Sequence, residues 1–255
     1  MKILISPAKK MQEQTDLFEP GGLPGFLKET ERLLECLKAM DEAELKLLFK
    51  ASDRITRENF LRLRTMEPER AMSPALLSYV GIQYQYMAPH LFSGDQWEYV
   101  KKHLRILSGF YGMLKPDDRV VPYRLEMQAE LSADGTGNLY EFWGDRLFCT
   151  LMEEEQTENG NRILLNLASR EYSRAVEPYL TPECRFVTCV FGQESGGKVK
   201  MKATEAKMAR GEMVRFMAER KVEDPEELRD FRALGYEYSE ERSEPDTLVY
   251  LKKHR

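Results

Sequence analysis

The sequence predicts a mixed α/β fold of the α+β kind: a single large domain with a central sheet and surrounding helices. Three observations predict it. Short apolar runs at Lys2 to Ser6 and Arg162 to Leu167 have the length and bounds of buried strands. Leucines and aromatics recur at three- and four-residue spacing over several helix-length segments. Strand and helix signals do not alternate regularly, so a doubly wound sheet is not expected.

The elements follow in chain order. Lys2 to Ser6 is a strand that ends at Ser-Pro. Leu23 to Met66 is helical, with Leu33, Leu34 and Leu37 on one face and Leu45, Leu48 and Phe49 on another. Ser52 and Asp53 offer a cap for a helix through Phe60 and Leu63. Ala75 to Val80 suits a strand ended by Gly81. Gly94 to Leu107 reads as a helix with Trp97, Val100, Leu104 and Leu107 aligned, and Gly109 suits its end. Leu139 to Glu155 is a further helix. Arg162 to Leu167 is a central strand, and Arg185 to Phe191 pairs with Lys198 to Lys202 around a turn containing Gly-Gly. Thr204 caps a helix to Arg220, and Asp224-Pro225 starts another. Tyr236 to Ser239 and Leu248 to Lys252 are closing strands.

The 255 residues fit one domain over 1–255, since no linker, repeat or low-complexity tract divides them. A hydrophobic fraction of 42% supplies a core, and no apolar run approaches the ~20 residues of a membrane helix. The first residues, MKILISPAKK, lack a signal peptide's apolar length and cleavage site, so a cytoplasmic protein is expected. Cys36, Cys149, Cys184 and Cys189 contain no CxxC pair, and Cys184 and Cys189, around an expected strand, read as buried small hydrophobes rather than a redox pair. His90, His103 and His254 lack zinc spacing, so neither a metal nor a cofactor is expected.

The net charge of −5 excludes a general nucleic-acid coat and confines any such surface to a local patch. Lys198 to Arg220 supplies one candidate, with seven basic residues against three acidic. A solvated helix face has the same composition.

Four segments bear on chemistry. In ISPAKK, Ser6, Lys9 and Lys10 follow a strand's carboxyl end, where open sheets favour ligands; surface lysines after a strand look the same. In NLASREY, Asn166 and Ser169 stand at the end of the second strand, with Ser169 also a plain helix cap. If the two strands are parallel, both polar loops open on one sheet edge. In AKMARGEMVRF, Lys207 and Arg210 are helical neighbours, and Gly211 costs ~1 kcal/mol unless a close approach needs it. In SGFYGMLKP, Ser108, Gly109, Gly112 and Lys115 suggest a hairpin whose amides face a phosphate, similar to a helix-hairpin-helix element.

ISPAK, HLRILSGFYGMLKP, PYRLEM, LYEFWGD, NLASREY, AKMARG and GYEYSEERS occur in that order across nearly the whole chain. Together they resemble the YaaA family of peroxide-stress proteins. The resemblance implies a bacterial cytoplasmic protein that limits iron-dependent oxidative damage. It also implies a positively charged cleft, a helix-hairpin-helix element and sequence-nonspecific binding of duplex or distorted DNA. Carried onto this chain, the hairpin is Ser108 to Pro116, and the cleft candidates are Lys9, Tyr123, Arg124, Lys207 and Arg210. Lys10, Met11, Lys115, Asp117, Glu205 and Met208 depart from the family's usual residues, and Asp117, Glu205 and Met208 trim its positive charge.

An enzyme acting on a nucleotide or nucleobase is the alternative. Glu126 would then be its general acid or base; it equally suits an ion pair with Arg124 or Arg210. Direct iron binding lacks ligand spacing, so the iron effect is expected to be indirect. The oligomeric state is not legible.

Overall fold

The computed structural model describes residues 1–155 and 162–253; His254 and part of the expected 1–255 domain lie outside them. In chain order the elements are β1 (Lys2–Ile5), β2 (Lys10–Met11), α1 (Leu27–Ala39), α2 (Glu42–Phe49) and α3 (Asp53–Thr65). Next come β3 (Ser73–Pro74), α4 (Ala75–Ser78), β4 (Tyr79–Val80), α5 (Ile82–Met87) and α6 (Gly94–His103). They are followed by β5 (Leu104–Ser108), β6 (Gly112–Leu114), β7 (Arg119–Val120), α7 (Leu139–Trp143), α8 (Arg146–Glu154), β8 (Arg162–Leu167) and α9 (Arg170–Ser173). The chain continues through β9 (Cys184–Ser195), β10 (Lys198–Lys200), α10 (Ala203–Arg220), β11 (Arg232–Ala233), β12 (Tyr236–Tyr238) and β13 (Thr247–Lys252).

A large mixed sheet organises these elements in the order β11-β12-β13-β9-β8-β1-β5-β6, with β10 paired to β9. Its centre, β13-β9-β8-β1-β5, is parallel; β5–β6, β12–β13 and β11–β12 are antiparallel pairs. The central strands are buried through their apolar runs: Ile3, Leu4 and Ile5 are wholly inaccessible, as are Leu164, Leu165 and Leu167. Helices on the sheet bury their leucine faces, including Leu33, Leu34 and Leu37 of α1. Among the described residues no helix is long and apolar enough to cross a membrane.

Several boundaries differ from the sequence expectation. The Gly94 to Leu107 helix stops at His103, and Leu104–Ser108 is instead a buried strand beside β1, with Ile3 opposite Leu104. Ala75 to Val80 divides into one helical turn and a two-residue strand. Leu139 to Glu155 breaks at Gly144, whose φ of 52° ends α7. Thr204 lies inside α10, and Lys202 holds the cap position.

The expected helix-hairpin-helix element is corrected by the same strand. Gly109 follows a strand, not a helix, and Ser108 to Leu114 is a β-hairpin in which Ser108 pairs with Gly112. Its glycines serve contacts inside the protein. A Cβ at Gly109 would stand 2.7 Å from the Leu125 carbonyl oxygen. At Gly112, φ is +69° and a Cβ would meet the Trp143 ring at 2.7 Å. Trp143 Nε1 donates to the Gly109 carbonyl at 3.0 Å.

After the hairpin, the buried Asp118 carboxylate accepts the Lys115 backbone N–H at 2.8 Å. Burial pushes its carboxyl up to about 7, against the opposing effect of that hydrogen bond. An unfolded aspartate titrates near ~3.9. The stability gained from holding its proton is therefore full below about pH 4 and is lost as pH rises to about 7. Asn at 118 keeps the acceptor and has no such proton. The stability of Asp118→Asn relative to the parent should grow between about pH 4 and 7 and level off above. Urea unfolding across that range checks this, and a difference independent of pH would refute it.

Candidate functional site

The topology puts a crevice between β1 and β8. The chain leaves β1 toward β5 on one side, while β8 and β9 are laid down on the other. Such a switch point, outside the carboxyl ends of parallel strands, is where open α/β sheets bind ligands. The two polar loops expected to share an edge do so. The Ser169 N–H donates to Ser6 Oγ at 2.8 Å, and the Ser6 hydroxyl donates to Ser169 Oγ at 3.2 Å. Ser169 stands at the N-cap of α9, but its hydroxyl makes no capping bond there.

Five segments line a cavity of about 350 Å³ at this point. Ser6 to Lys10 leaves β1, Gly81 to Tyr84 opens α5, and Tyr123 to Glu126 is an irregular span after the hairpin. Ser169, Glu171 and Tyr172 come from the start of α9, and Lys207 and Arg210 from α10. Each is held for a physical reason. Ser108 Oγ and the Tyr79 hydroxyl bind the Tyr123 hydroxyl at 2.6 Å and 2.8 Å, and Phe110 stacks on its ring. The absence of a side chain at Gly109 seats the Leu125–Glu126 backbone. The hairpin thus fixes the segment that presents Arg124 and Glu126. On the far wall, α10 reaches α5 through Gly211, where a Cβ would lie 2.1 Å from the Gln83 carbonyl oxygen.

The wall carries five cations, Lys9, Lys10, Arg124, Lys207 and Arg210, and two carboxylates, Glu126 and Glu171. Glu126 is shared between Lys9 at 2.8 Å and Arg124 at 3.2 Å. Glu171 receives a long bond, 3.4 Å, from the Gln128 N–H. Burial raises the Glu171 carboxyl above the usual range, and the charge of Glu126 adds to the rise. Arg210 is different again. It makes no ion pair among the described residues, its Nε is buried without a partner, and burial lowers its proton affinity. The Nε of Arg124 is likewise buried without a partner.

Of the residues expected from sequence, Lys9, Lys10, Tyr123, Arg124, Glu126, Ser169, Lys207 and Arg210 come together on this wall. Asn166 stays beneath it, its Oδ1 accepting the Ala168 N–H at 2.9 Å and its Nδ2 facing Thr188 Oγ1. Ser108, Gly109 and Gly112 are buried in the hairpin, where Ser108 Oγ also accepts the Phe110 and Tyr111 amides. That location turns them toward support of the wall. Lys115 is outside the cavity lining, 3.7 Å from Glu154. Gln83, Tyr84, Glu171 and Tyr172 line the cavity and were not anticipated. Glu171 and Tyr172 stand in the NLASREY block, after its strand-end polar residues. The buried Cys184 and Cys189 thiols, pushed up to about 11 and about 12 by burial, behave as apolar side chains.

A sequence profile described as peroxide stress protein YaaA matches residues 1–242. The chain belongs to the YaaA family. It is 48% identical over 252 residues to the UPF0246 protein of Pediococcus pentosaceus, covering 99% of this chain and 98% of that one. It is 46% identical over 253 residues to the UPF0246 protein of Agathobacter rectalis, covering 99% of each. A similar protein of Desulfitobacterium hafniense is 48% identical over 252 residues, covering 99% of this chain and 98% of that one. In this YaaA-family chain the ISPAK, PYRLEM, NLASREY and AKMARG blocks supply four of the five segments that converge on the cavity.

Proposed function

We propose that this YaaA-family protein acts in peroxide stress by binding DNA through the basic cleft, without strong sequence readout, and so limits iron-dependent oxidative damage. Lys9, Lys10 and Lys207 hold phosphates at the mouth, and Arg124 and Arg210 hold one at the floor. Ser169 and Tyr123 shape the wall between them. The observation that supports this most is Arg210, a half-buried side chain whose Nε is fully buried without a partner and which makes no ion pair among the described residues. A buried charge without a partner is costly, and an incoming anion relieves that cost.

The test is a salt titration of a fluorescent duplex, with and without an internal mismatch bubble. Log affinity should fall with log salt by about 0.9 per phosphate neutralised, and Lys207→Ala should reduce the slope by about one. The Lys207→Ala/Arg210→Ala double variant should bind far more weakly. Absence of binding at low salt would refute the proposal.

The pair of carboxylates favours a second reading, an enzyme acting on a nucleotide. Glu126 is ion-paired with Lys9 and Arg124, while burial raises the Glu171 carboxyl above its usual range. Two carboxyl groups in unlike environments suit acid and base roles. Glu126→Gln separates the readings. It removes a competitor for Arg124, so DNA binding should tighten in the first, whereas turnover should vanish in the second.

A further inference from the structure

Three buried polar atoms without protein partners belong to residues lining this one cavity: Arg124 Nε, Arg210 Nε and Gln83 Nε2. The two guanidiniums suit a phosphate. The third group asks for something else. Gln83 is only 6% exposed, and a buried amide nitrogen with no acceptor is unfavourable. A carboxamide offers a donor and an acceptor side by side, the pattern complementary to the edge of a nucleobase. Tyr84 and Tyr172 line the same space.

We infer that the cavity receives a single nucleotide unit, its phosphate on Arg124 and Arg210 and its base edge on the Gln83 carboxamide. This rests on the anion-binding reading of the cleft above and narrows its ligand. A cavity of about 350 Å³ stands at the small end of ligand sites, room for one nucleotide and not for a base pair. Groups as buried as Gln83 are also out of reach of a phosphate on the outside of an intact duplex. On DNA, therefore, one nucleotide leaves the stack and enters the cavity, with unstacking least costly where the base is already unpaired. A free nucleotide presents the same phosphate and base edge.

Calorimetric titration of the full chain with the four 5′-mononucleotides and with inorganic phosphate tests the inference. Fluorescent duplexes, fully paired or with one unpaired nucleotide, separate the two sources. At least one mononucleotide should bind about 10-fold more tightly than phosphate, since a good amide–base pair discriminates at that level or above. Gln83→Met should remove that preference and leave phosphate affinity within about twofold, because its apolar chain fills the same space. Gln83→Glu, which keeps the shape and exchanges the amide donor for an acceptor, should change which base is preferred. Preference for the duplex with an unpaired nucleotide assigns the ligand to DNA; mononucleotide binding without that preference assigns it to the free pool. Binding of the paired duplex alone, or base preferences unchanged in both variants, would overturn the inference and leave the DNA proposal standing. Failure to bind any of these anions would overturn both.

Discussion

Gly211→Ala is expected to destabilise the protein by about 3 kcal/mol, the upper part of the range for overpacking, and to disable the cavity with it. The added Cβ would stand 2.1 Å from the Gln83 carbonyl oxygen and 2.9 Å from the Met87 amide nitrogen. Both are backbone atoms of α5, so no side-chain rotation relieves the clash and the two helices must separate. An alanine inside a helix gains up to about 1 kcal/mol of intrinsic propensity over glycine, so the steric cost has to exceed that gain before any loss is seen. Separation would also shift Gln83 on one helix and Arg210 on the other, and ligand binding should fall even where the variant remains folded. Gly94→Ala is the control. Nothing lies within 4 Å of its new methyl group at the start of α6, so it should be neutral or stabilising by about 0.5 kcal/mol. Urea unfolding of both variants checks the pair, and a Gly211→Ala protein as stable as its parent would refute the close-packing account.

Two strands of the sheet centre were legible because each is a short, mostly apolar run bounded by polar breakers. KILI and RILLNL each lead into a serine-bearing loop, and parallel pairing of β1 with β8 sets those loops side by side. Most of the cleft follows from that pairing together with the Lys207–Arg210 spacing on α10. What failed was local periodicity where tertiary pairing decides. Trp97, Val100, Leu104 and Leu107 recur at helical intervals, yet from Leu104 the backbone pairs with Ile3, Leu4 and Ile5 instead. The hairpin glycines show the same limit. Their partners, Leu125 and Trp143, are 16 and 31 residues away, so their spacing alone looks like a phosphate grip. Gln83 had no motif at all, and its position on the wall depends on α5 meeting α10 at Gly211.

Arg210→Met should make the ligand-free protein more stable by about 1–3 kcal/mol, the range in which buried ionic groups give way to apolar ones. The same change should raise the dissociation constant for a phosphate-bearing ligand by about 100-fold, the usual result of removing one buried charged partner. The two effects have one cause. The guanidinium is partly desolvated, makes no ion pair among the described residues, and has its proton affinity lowered by burial, with the Cys189 thiol acting in the other direction. For a cation, a lowered folded value means a cost that persists wherever the group is charged in both states and is relieved only as pH rises through that value. Arginine stays charged through neutral pH, so the stability gained by methionine should be flat from about pH 5 to 9. Urea unfolding across that range, with and without a saturating mononucleotide, measures both effects. Without ligand the variant should be the more stable protein. With ligand the order should narrow or reverse, because binding adds stability only to the chain that still holds the anion. A loss of stability without ligand, or equal stabilisation of both chains by ligand, would show that Arg210 is held for its packing. The opposite pattern is the signature of a charge kept in an unfavourable place for the anion it receives.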